Sequence, residues 1–272
     1  MAIPYVREIE FEYGIVEQVS PLIRRVIANN PGPFTYVGTG VYIIGHGEVA
    51  VIDPGPEDAE HFEALKRALE GRRSPTFWSL MAIPTIPPWR RLWRSGRGEL
   101  GSADDLGFMP DVKVGDGDVI SGPGWTLDVI ETPGHTCNHL CFGLREENAC
   151  LSGDHIMGWS TTVVAPPDGD MGDYMRSLDK IQSRKFDTLW PTHGDPVRGR
   201  EFVDHFITEY ANHRRAREAA ILDQLRAGQS SIPEMVKVMY AEVDKRLHPA
   251  AAIPVSRFLR TTNPPSGLIS NW

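Results

Sequence analysis

Three short stretches of the sequence place a histidine or an aspartate beside a glycine, and these side chains could bind a metal ion. His135 follows a Pro-Gly pair, Asp154 follows a Ser-Gly pair, and His193 precedes a glycine. Imidazole nitrogen and carboxylate oxygen are ligands of zinc, and a catalytic zinc keeps one further position open for water. A lone histidine is more often an ordinary surface or core residue. The prediction of a metal site therefore depends on the three stretches taken together.

In their order along the chain, and together with Val51-Ile52-Asp53-Pro54-Gly55 before them, these stretches resemble the metallo-β-lactamase superfamily. The resemblance implies that His135 binds a first metal ion, that Asp154 bridges two, and that His193 binds the second. It also implies that an intact relative holds two zinc ions. Asp53 is expected not to bind metal but to support the site, by hydrogen bonding the loop that carries the remaining ligands.

One ligand run of the superfamily is missing from this chain. Its members carry His-x-His-x-Asp-His between the Asp-Pro-Gly stretch and the later ligands, and the aspartate of that run would orient or accept a proton. Here residues 77–89 read Phe-Trp-Ser-Leu-Met-Ala-Ile-Pro-Thr-Ile-Pro-Pro-Trp, without a histidine or a carboxylate. No catalytic residue is therefore assigned. His139 and His155 stand beside predicted ligands and are expected to be ordinary supporting or surface histidines.

The missing run is readable in an alternative reading frame. When the third base of each codon is joined to the first two bases of the next, permitted codons give His-Ile-Leu-Val-Thr-His-Gly-His-Pro-Asp-His-Ser-Pro-Val across this window. A His or Asp codon in the shifted frame ends in the first two bases of an Ile, Met or Thr codon of the written frame. At all four ligand positions the written sequence has one of these three residues. Residues 72–100 also hold six arginines, one acid and three of the seven tryptophans. The sequence therefore predicts two compensating frameshifts around residues 73–101, compatible with a sequencing error and with a real lesion in the gene.

The composition is that of a globular protein with one large domain, or with one domain and a small appendage. The 272 residues are 41% hydrophobic and 24% charged. No stretch is apolar enough to span a membrane, and the chain does not begin with a basic and then apolar leader. We therefore expect a cytoplasmic protein without membrane contact, and a homodimer is considered. Three cysteines are too few for a disulfide framework and are predicted to be buried free thiols.

The net charge of −8 is distributed unevenly along the chain. Residues 209–272 carry nine Lys or Arg and six Asp or Glu, a balance of +3, which leaves −11 for residues 1–208. This difference indicates either a separate module that contacts an anionic polymer or a helix face exposed to solvent. Both alternatives are kept.

Hydrophobic periodicity and turn residues predict alternating strands and helices, and with the resemblance they imply an α/β (α+β) fold, the αββα sandwich. This domain is assigned to residues 1–208, with 73–101 as an anomalous segment. Residues 209–272 are predicted to form a helical, winged-helix-like C-terminal domain. The predicted strands are 34–44, 48–53, 111–119, 125–132, 140–144, 149–153 and 188–190. The predicted helices are 58–70, 170–182, 214–227, 232–240 and one that begins at Pro249.

The function predicted from the resemblance is metal-dependent hydrolysis of a phosphodiester or ester-type substrate, either a small molecule or RNA, by a dinuclear zinc site. The chain as written is expected to be inactive, because it lacks the main ligand run. One alternative is a metal-poor remnant, and another is a nucleic-acid-binding protein that uses the basic tail. A thioesterase similar to glyoxalase II is the alternative within the enzymes.

Overall fold

The computed structural model describes residues 3–78, 114–165, 167–229 and 231–239. Two β-sheets face each other within these residues, and helices cover their outer faces. Most of the anomalous window falls in 79–113 and lies outside the described residues. Its first part, 73–78, is a strand paired with the first sheet. Because Trp78, Trp89 and Trp93 match no pattern of a buried face, residues 73–100 are also predicted to be the least well-packed part, and the side chains that would test this lie outside the described set.

The first sheet has five strands in chain order, namely β1 (Glu17–Gln18), β2 (Ile23–Ala28), β3 (Thr39–Ile44), β4 (Glu48–Ile52) and β5 (Arg73–Trp78). Neighbours are antiparallel except β4 and β5, which are parallel. A parallel pair needs a crossover connection, and helix α1 (Ala59–Leu69) provides it. Asp58 caps this helix, because its carboxylate accepts a hydrogen bond from the backbone N–H of His61 at 2.8 Å.

The second sheet has six strands, namely β6 (Val119–Gly122), β7 (Trp125–Glu131), β8 (Leu140–Leu144), β9 (Ala149–Gly153), β10 (Thr188–Pro191) and β11 (Val197–Arg198). They lie side by side in the order β11-β10-β9-β8-β7-β6, and only the β9–β10 pair is parallel within this described sheet. Helix α2 (Met171–Arg184) is the crossover between β9 and β10, and α3 (Arg200–Arg226) and α4 (Ile232–Met239) follow β11.

The core consists of three apolar layers. Successive residues of β3 point to opposite faces, so Tyr42 faces the second sheet while Val41 packs against α1. Phe142 of β8 belongs to the same apolar layer as Tyr42, between the two sheets. On the outer face of the second sheet, Cys141 belongs to a layer that includes Phe206 of α3. The layers therefore run helix, sheet, sheet, helix, which confirms the predicted αββα sandwich. Cys137 is only half-buried, in contrast to the expectation for all three cysteines.

Three predicted elements differ from the structure. The strand predicted at 111–119 is wrong in its described residues 114–118, which form a turn, and β6 begins only at Val119. The strand predicted at 34–44 begins at Thr39, because the residues before it close a loop through paired backbone hydrogen bonds between Gly32 and Tyr36. The helix predicted at 214–227 is the second half of the 27-residue α3. The predicted division between 208 and 209 falls inside this helix, and the division itself stays a prediction. Among the described residues, no helix is long and apolar enough to cross a membrane.

Candidate metal centre

The three predicted ligands follow strands β7, β9 and β10 of the second sheet, whose carboxyl ends lie at one edge. Asp154 comes directly after β9 and His193 two residues after β10, and these strands are parallel, so their carboxyl ends meet at one edge. His135 lies in the loop that leads from β7 to β8, beside β9. The sheet topology therefore brings residues that are far apart in sequence to the same edge.

The Asp154 carboxylate lies between two imidazole rings. Its Oδ2 is 3.8 Å from His135 Nε2, and its Oδ1 is 3.5 Å from His193 Nε2. Each ring is held from its other nitrogen, because His135 Nδ1 lies 2.6 Å from the carbonyl oxygen of Val163 and His193 Nδ1 lies 3.0 Å from that of Gly38. The structure thus gathers all three predicted residues, with one histidine on each carboxylate oxygen.

The hydrogen bonds at Nδ1 decide which nitrogen of each histidine faces the carboxylate. A carbonyl oxygen only accepts, so Nδ1 carries the proton and Nε2 of a neutral ring is left with a lone pair. That lone pair faces a carboxylate oxygen, and Asp154 Oδ1 is buried without a hydrogen-bond partner. Two acceptors at this distance are compatible only when a proton or a cation lies between them. The donor chemistry therefore suits a divalent metal ion on each side of Asp154.

The described residues nevertheless do not complete a metal site. Each carboxylate oxygen of Asp154 faces one imidazole nitrogen. An ion between them would therefore have two protein ligands, whereas catalytic zinc sites have three. Within the described parts of the chain, no group of three or more His, Cys, Asp or Glu side chains is arranged to hold a metal ion. The ligand role of His135, Asp154 and His193 therefore stays a prediction, and no reaction step through a metal follows from these residues.

Asp53 lies on the first sheet's side of the same site. It follows β4 with a positive φ of 49°, unusual for a residue with a side chain, and its Oδ2 accepts a hydrogen bond from Thr192 Oγ1 at 3.0 Å. Thr192 directly precedes His193. The loop that Asp53 was predicted to hold lies in 79–113, outside the described residues, so its supporting role there stays a prediction.

His139 has a closer connection to the site than the sequence suggested. Its ring is buried, Nε2 accepts the backbone N–H of Asp154 at 3.2 Å, and Nδ1 lies 2.8 Å from Thr132 Oγ1. Burial, and then the neighbouring His155 and His135, lower the pKa of His139 well below its ordinary value. His139 therefore stays neutral and fixes the backbone of Asp154. The only sequence signal was its position directly before a buried apolar strand.

The loop after Asp154 is held from behind by α3. Tyr210 Oη donates to the carbonyl of Ser160 at 2.7 Å and accepts the N–H of Thr162 at 2.9 Å. Arg214 donates to the carbonyl of Thr162, whose hydroxyl donates to the carbonyl of Asp154 at 2.7 Å. Val163, the next residue, supplies the carbonyl that orients His135. Sequence reasoning missed these contacts because they join residues about fifty positions apart.

A stacked aromatic pair forms the wall beside His193. The rings of Tyr36 and Trp159 lie nearly parallel, at 11°, with centroids 4.7 Å apart. Gly194 packs against Trp159 so closely that an added Cβ would lie 2.7 Å from the indole Cδ1, and its φ of +88° also requires glycine. Gly194 is therefore required for the Trp159 ring to pack against the backbone that directly follows His193.

Known proteins are similar to this chain in sequence. Residues 81–193 match the sequence model of the Metallo-beta-lactamase superfamily, and residues 231–260 match that of the Beta-lactamase associated winged helix domain. Beta-lactamase-like protein 2 homolog of Caenorhabditis elegans is 32% identical over 232 residues, which cover 78% of this chain and 73% of that protein. An atrochrysone carboxyl ACP thioesterase of Claviceps purpurea is 28% identical over 239 residues, covering 84% of this chain and 74% of its own.

Solved structures show the same fold at lower identity. A beta-lactamase domain protein from Burkholderia ambifaria superimposes with a TM-score of 0.71 at 20% identity, covering 91% of this chain and 87% of its own. A metallo-beta-lactamase family protein from Thermus thermophilus gives 0.68 at 19% identity, with coverage of 90% and 95%. The chain belongs to the metallo-β-lactamase superfamily, a superfamily of hydrolases, and carries its associated winged-helix domain.

Proposed function

We propose that this chain derives from a hydrolase that holds two zinc ions and cleaves an ester-type bond, and that the polypeptide as written has lost this activity. The observation that carries the proposal is the Asp154 carboxylate between two bare imidazole nitrogens, with a buried oxygen that has no hydrogen-bond partner. This is half of a dinuclear site. The chemistry that two zinc ions supply in such a site is activation of water and polarisation of the scissile group.

The course of β5 supports the alternative reading frame. β5 runs parallel to β4, and its last residue, Trp78, pairs with Ile52, directly before Asp53. The chain therefore leaves β5 at the sheet edge where Asp53 contacts Thr192 beside His193. The first histidine of the alternative run is encoded across Leu80 and Met81, a few residues further on. A chain read in that frame would deliver the missing ligands to the edge where the described half-site lies.

The relatives favour a thioester among the ester-type substrates. Two similar proteins are named as atrochrysone carboxyl ACP thioesterases, which makes a thioesterase our preferred class ahead of a phosphodiesterase. The match to the winged-helix domain favours a second candidate, a nucleic-acid-binding role for the basic C-terminal part. A small-molecule or RNA substrate, a homodimer and a cytoplasmic location stay proposals.

The test is to restore the run. Replacing residues 73–101 with the alternative-frame translation of the gene should give two zinc ions per chain by elemental analysis and measurable hydrolysis of thioester or phosphodiester test substrates. The chain as written should bind zinc weakly and hydrolyse essentially nothing, because two ligands per ion do not hold a dinuclear centre.

The control is His135→Ala in the restored chain, which should lose metal and activity together. Robust metal-dependent turnover by the unmodified chain that survives His135→Ala would contradict the proposal. Sequencing the DNA that encodes residues 72–102 would separate a reading error from a lesion in the gene.

A further inference from the structure

Among the described residues, five loops lie around the half-site, and we call them the mouth loops: 29–38, 53–58, 132–139, 154–170 and 192–196. The last three carry the predicted ligands themselves. The first ends in the carbonyl of Gly38 that binds His193, and the second begins with Asp53, which binds Thr192. These loops therefore form the described part of the entrance to Asp154.

The mouth loops are acidic. They contain no lysine or arginine and seven acids, namely Asp53, Glu57, Asp58, Asp154, Asp168, Asp170 and Asp195. Arg25 and Arg214 bind these loops from beneath and are buried, and Arg25 is paired with Asp195 and Glu17. Arg7 reaches the carbonyl of Trp159 from the exposed side. Proteins bind nucleic acids largely by placing cations on phosphates, so these five loops are unsuited to RNA.

Large apolar side chains are exposed on two of the mouth loops. Phe34 is 70% exposed and Val163 is 43% exposed. Val163 is the residue whose backbone carbonyl orients His135, so this exposed side chain belongs to a residue in direct contact with the half-site. Metal ions in an intact relative would contact the reacting group, so the rest of a substrate would still meet this rim.

The loop that carries Phe34 is built to hold it outward. Gly32 and Tyr36 exchange two backbone hydrogen bonds, of 3.1 and 2.9 Å, which puts Phe34 at the tip of a closed turn. Thr35 Oγ1 donates to the carbonyl of Asn30 at 2.7 Å, and Asn30 Oδ1 accepts the N–H of Thr39 at 2.9 Å. An aromatic ring exposed on a tip with this many internal bonds is preorganised for an apolar ligand.

We propose that the mouth of this site takes a thioester with an apolar acyl chain, which Phe34 and Val163 contact, and that it discriminates against nucleic acid. This inference rests on the proposed function and names its substrate class. The exposed apolar side chains and the negative charge of the mouth loops favour the same ligand. Burial of a neutral acyl chain lowers the free energy of binding, whereas a polyanion is repelled.

The test measures binding to the full chain as written, where no turnover interferes. Isothermal titration calorimetry would compare S-octanoyl-N-acetylcysteamine, S-acetyl-N-acetylcysteamine and a single-stranded oligoribonucleotide of mixed sequence. The octanoyl thioester should bind about tenfold more tightly than the acetyl thioester, since its extra methylenes are partly buried. The oligoribonucleotide should not bind measurably at physiological salt.

The variants Phe34→Ser and Val163→Ser should each reduce the octanoyl advantage to about threefold or less, because a contacting apolar surface is removed. Val119→Ser is the matched control: Val119 is 52% exposed but lies on β6, outside the mouth loops, and its change should leave the ratio intact. Circular dichroism would establish that all variants fold.

Three outcomes would overturn the inference. They are absence of thioester binding, equal affinity for both thioesters with no response to Phe34→Ser, and salt-dependent RNA binding tighter than that of the octanoyl thioester. The proposed function fails separately, when the restored chain neither holds two zinc ions nor hydrolyses any test substrate. A restored chain that is active but prefers RNA would keep the function and reject this substrate class.

Discussion

At the scale of single residues, the position of Asp154 depends on His139. The Nε2 of His139 accepts the backbone N–H of Asp154 in a partly buried hydrogen bond, and the His139 side chain itself is buried. A buried N–H that loses its acceptor costs about 1–3 kcal/mol, while a well-made hydrogen bond contributes less than this. His139 therefore acts through Asp154's backbone and does not reach the carboxylate.

We expect His139→Leu to lower the free energy of unfolding by about 1–3 kcal/mol, because it leaves the Asp154 N–H without an acceptor. His139→Gln keeps an acceptor at similar reach and should lose clearly less. Urea unfolding followed by fluorescence measures both. Equal losses in the two variants would show that side-chain volume, not the hydrogen bond, is what matters at this position.

His61 makes stability depend on pH. It is buried on α1, its Nε2 donates to the carbonyl of Pro54 at 3.0 Å, and burial lowers its pKa below the ordinary value of 6.5. The unfolded chain binds a proton at this histidine below about pH 6.5, whereas the folded chain does so only at lower pH. Folding stability from His61 is therefore full above pH 6.5 and declines as the pH falls.

Between pH 7 and pH 5, the wild-type chain should lose more unfolding free energy than His61→Gln does, by up to about 1.4 kcal/mol per pH unit. Urea titrations at several pH values give this difference. His46→Gln changes an exposed histidine and should follow the wild-type curve. A wild-type curve that runs parallel to that of His61→Gln would contradict the assignment.

At the scale of elements, α3 is the support of the loop that orients His135. Tyr210 and Arg214 lie one helical turn apart, so they present neighbouring polar groups to the same loop. The tyrosine is fully buried, and its hydroxyl satisfies both a carbonyl and an N–H of residues 160–162. A helix packed on the outer sheet face therefore determines the shape of a loop at the sheet edge.

Tyr210→Phe should lower the unfolding free energy by about 1–3 kcal/mol, since two buried backbone groups lose their partner. Amide hydrogen exchange in residues 155–165 should accelerate. Tyr13→Phe removes a hydrogen bond of 2.7 Å to the carbonyl of Val37 at an exposed position, where water replaces it, and should cost less than half as much. Unchanged exchange in the loop would show that α3 does not hold it.

At the scale of the whole molecule, the half-site lies where the two sheets meet. The second sheet supplies His135, Asp154 and His193, while the first sheet supplies Asp53 and the carbonyl of Gly38. Because the strands that carry these residues lie outside the anomalous window, the sandwich and the grouping of these residues persist although the ligand run is missing. Restoration of that run is therefore expected to complete a site that is already partly formed.

The sequence by itself, through its resemblance to the superfamily, predicted the superfamily, the sandwich and the three residues that the structure gathers at one sheet edge. Turn motifs beside His135, Asp154 and His193, and the short apolar runs that turn residues separate, are local signals that survive without knowledge of contacts. The absence of the ligand run was also readable from sequence alone, since it needs only residue identity.

Only the tertiary structure decided how these residues are held and what the entrance to the site is like. The bond from His139 to Asp154 and the support from Tyr210 are long-range contacts, which depend on how sheets and helices pack. The prediction of a strand from residue 34 was wrong because Phe34 sits at the tip of a closed loop, and neighbouring hydrogen bonds outweighed its β-propensity. Local sequence specifies the residue types, and packing between distant segments specifies their orientation and exposure.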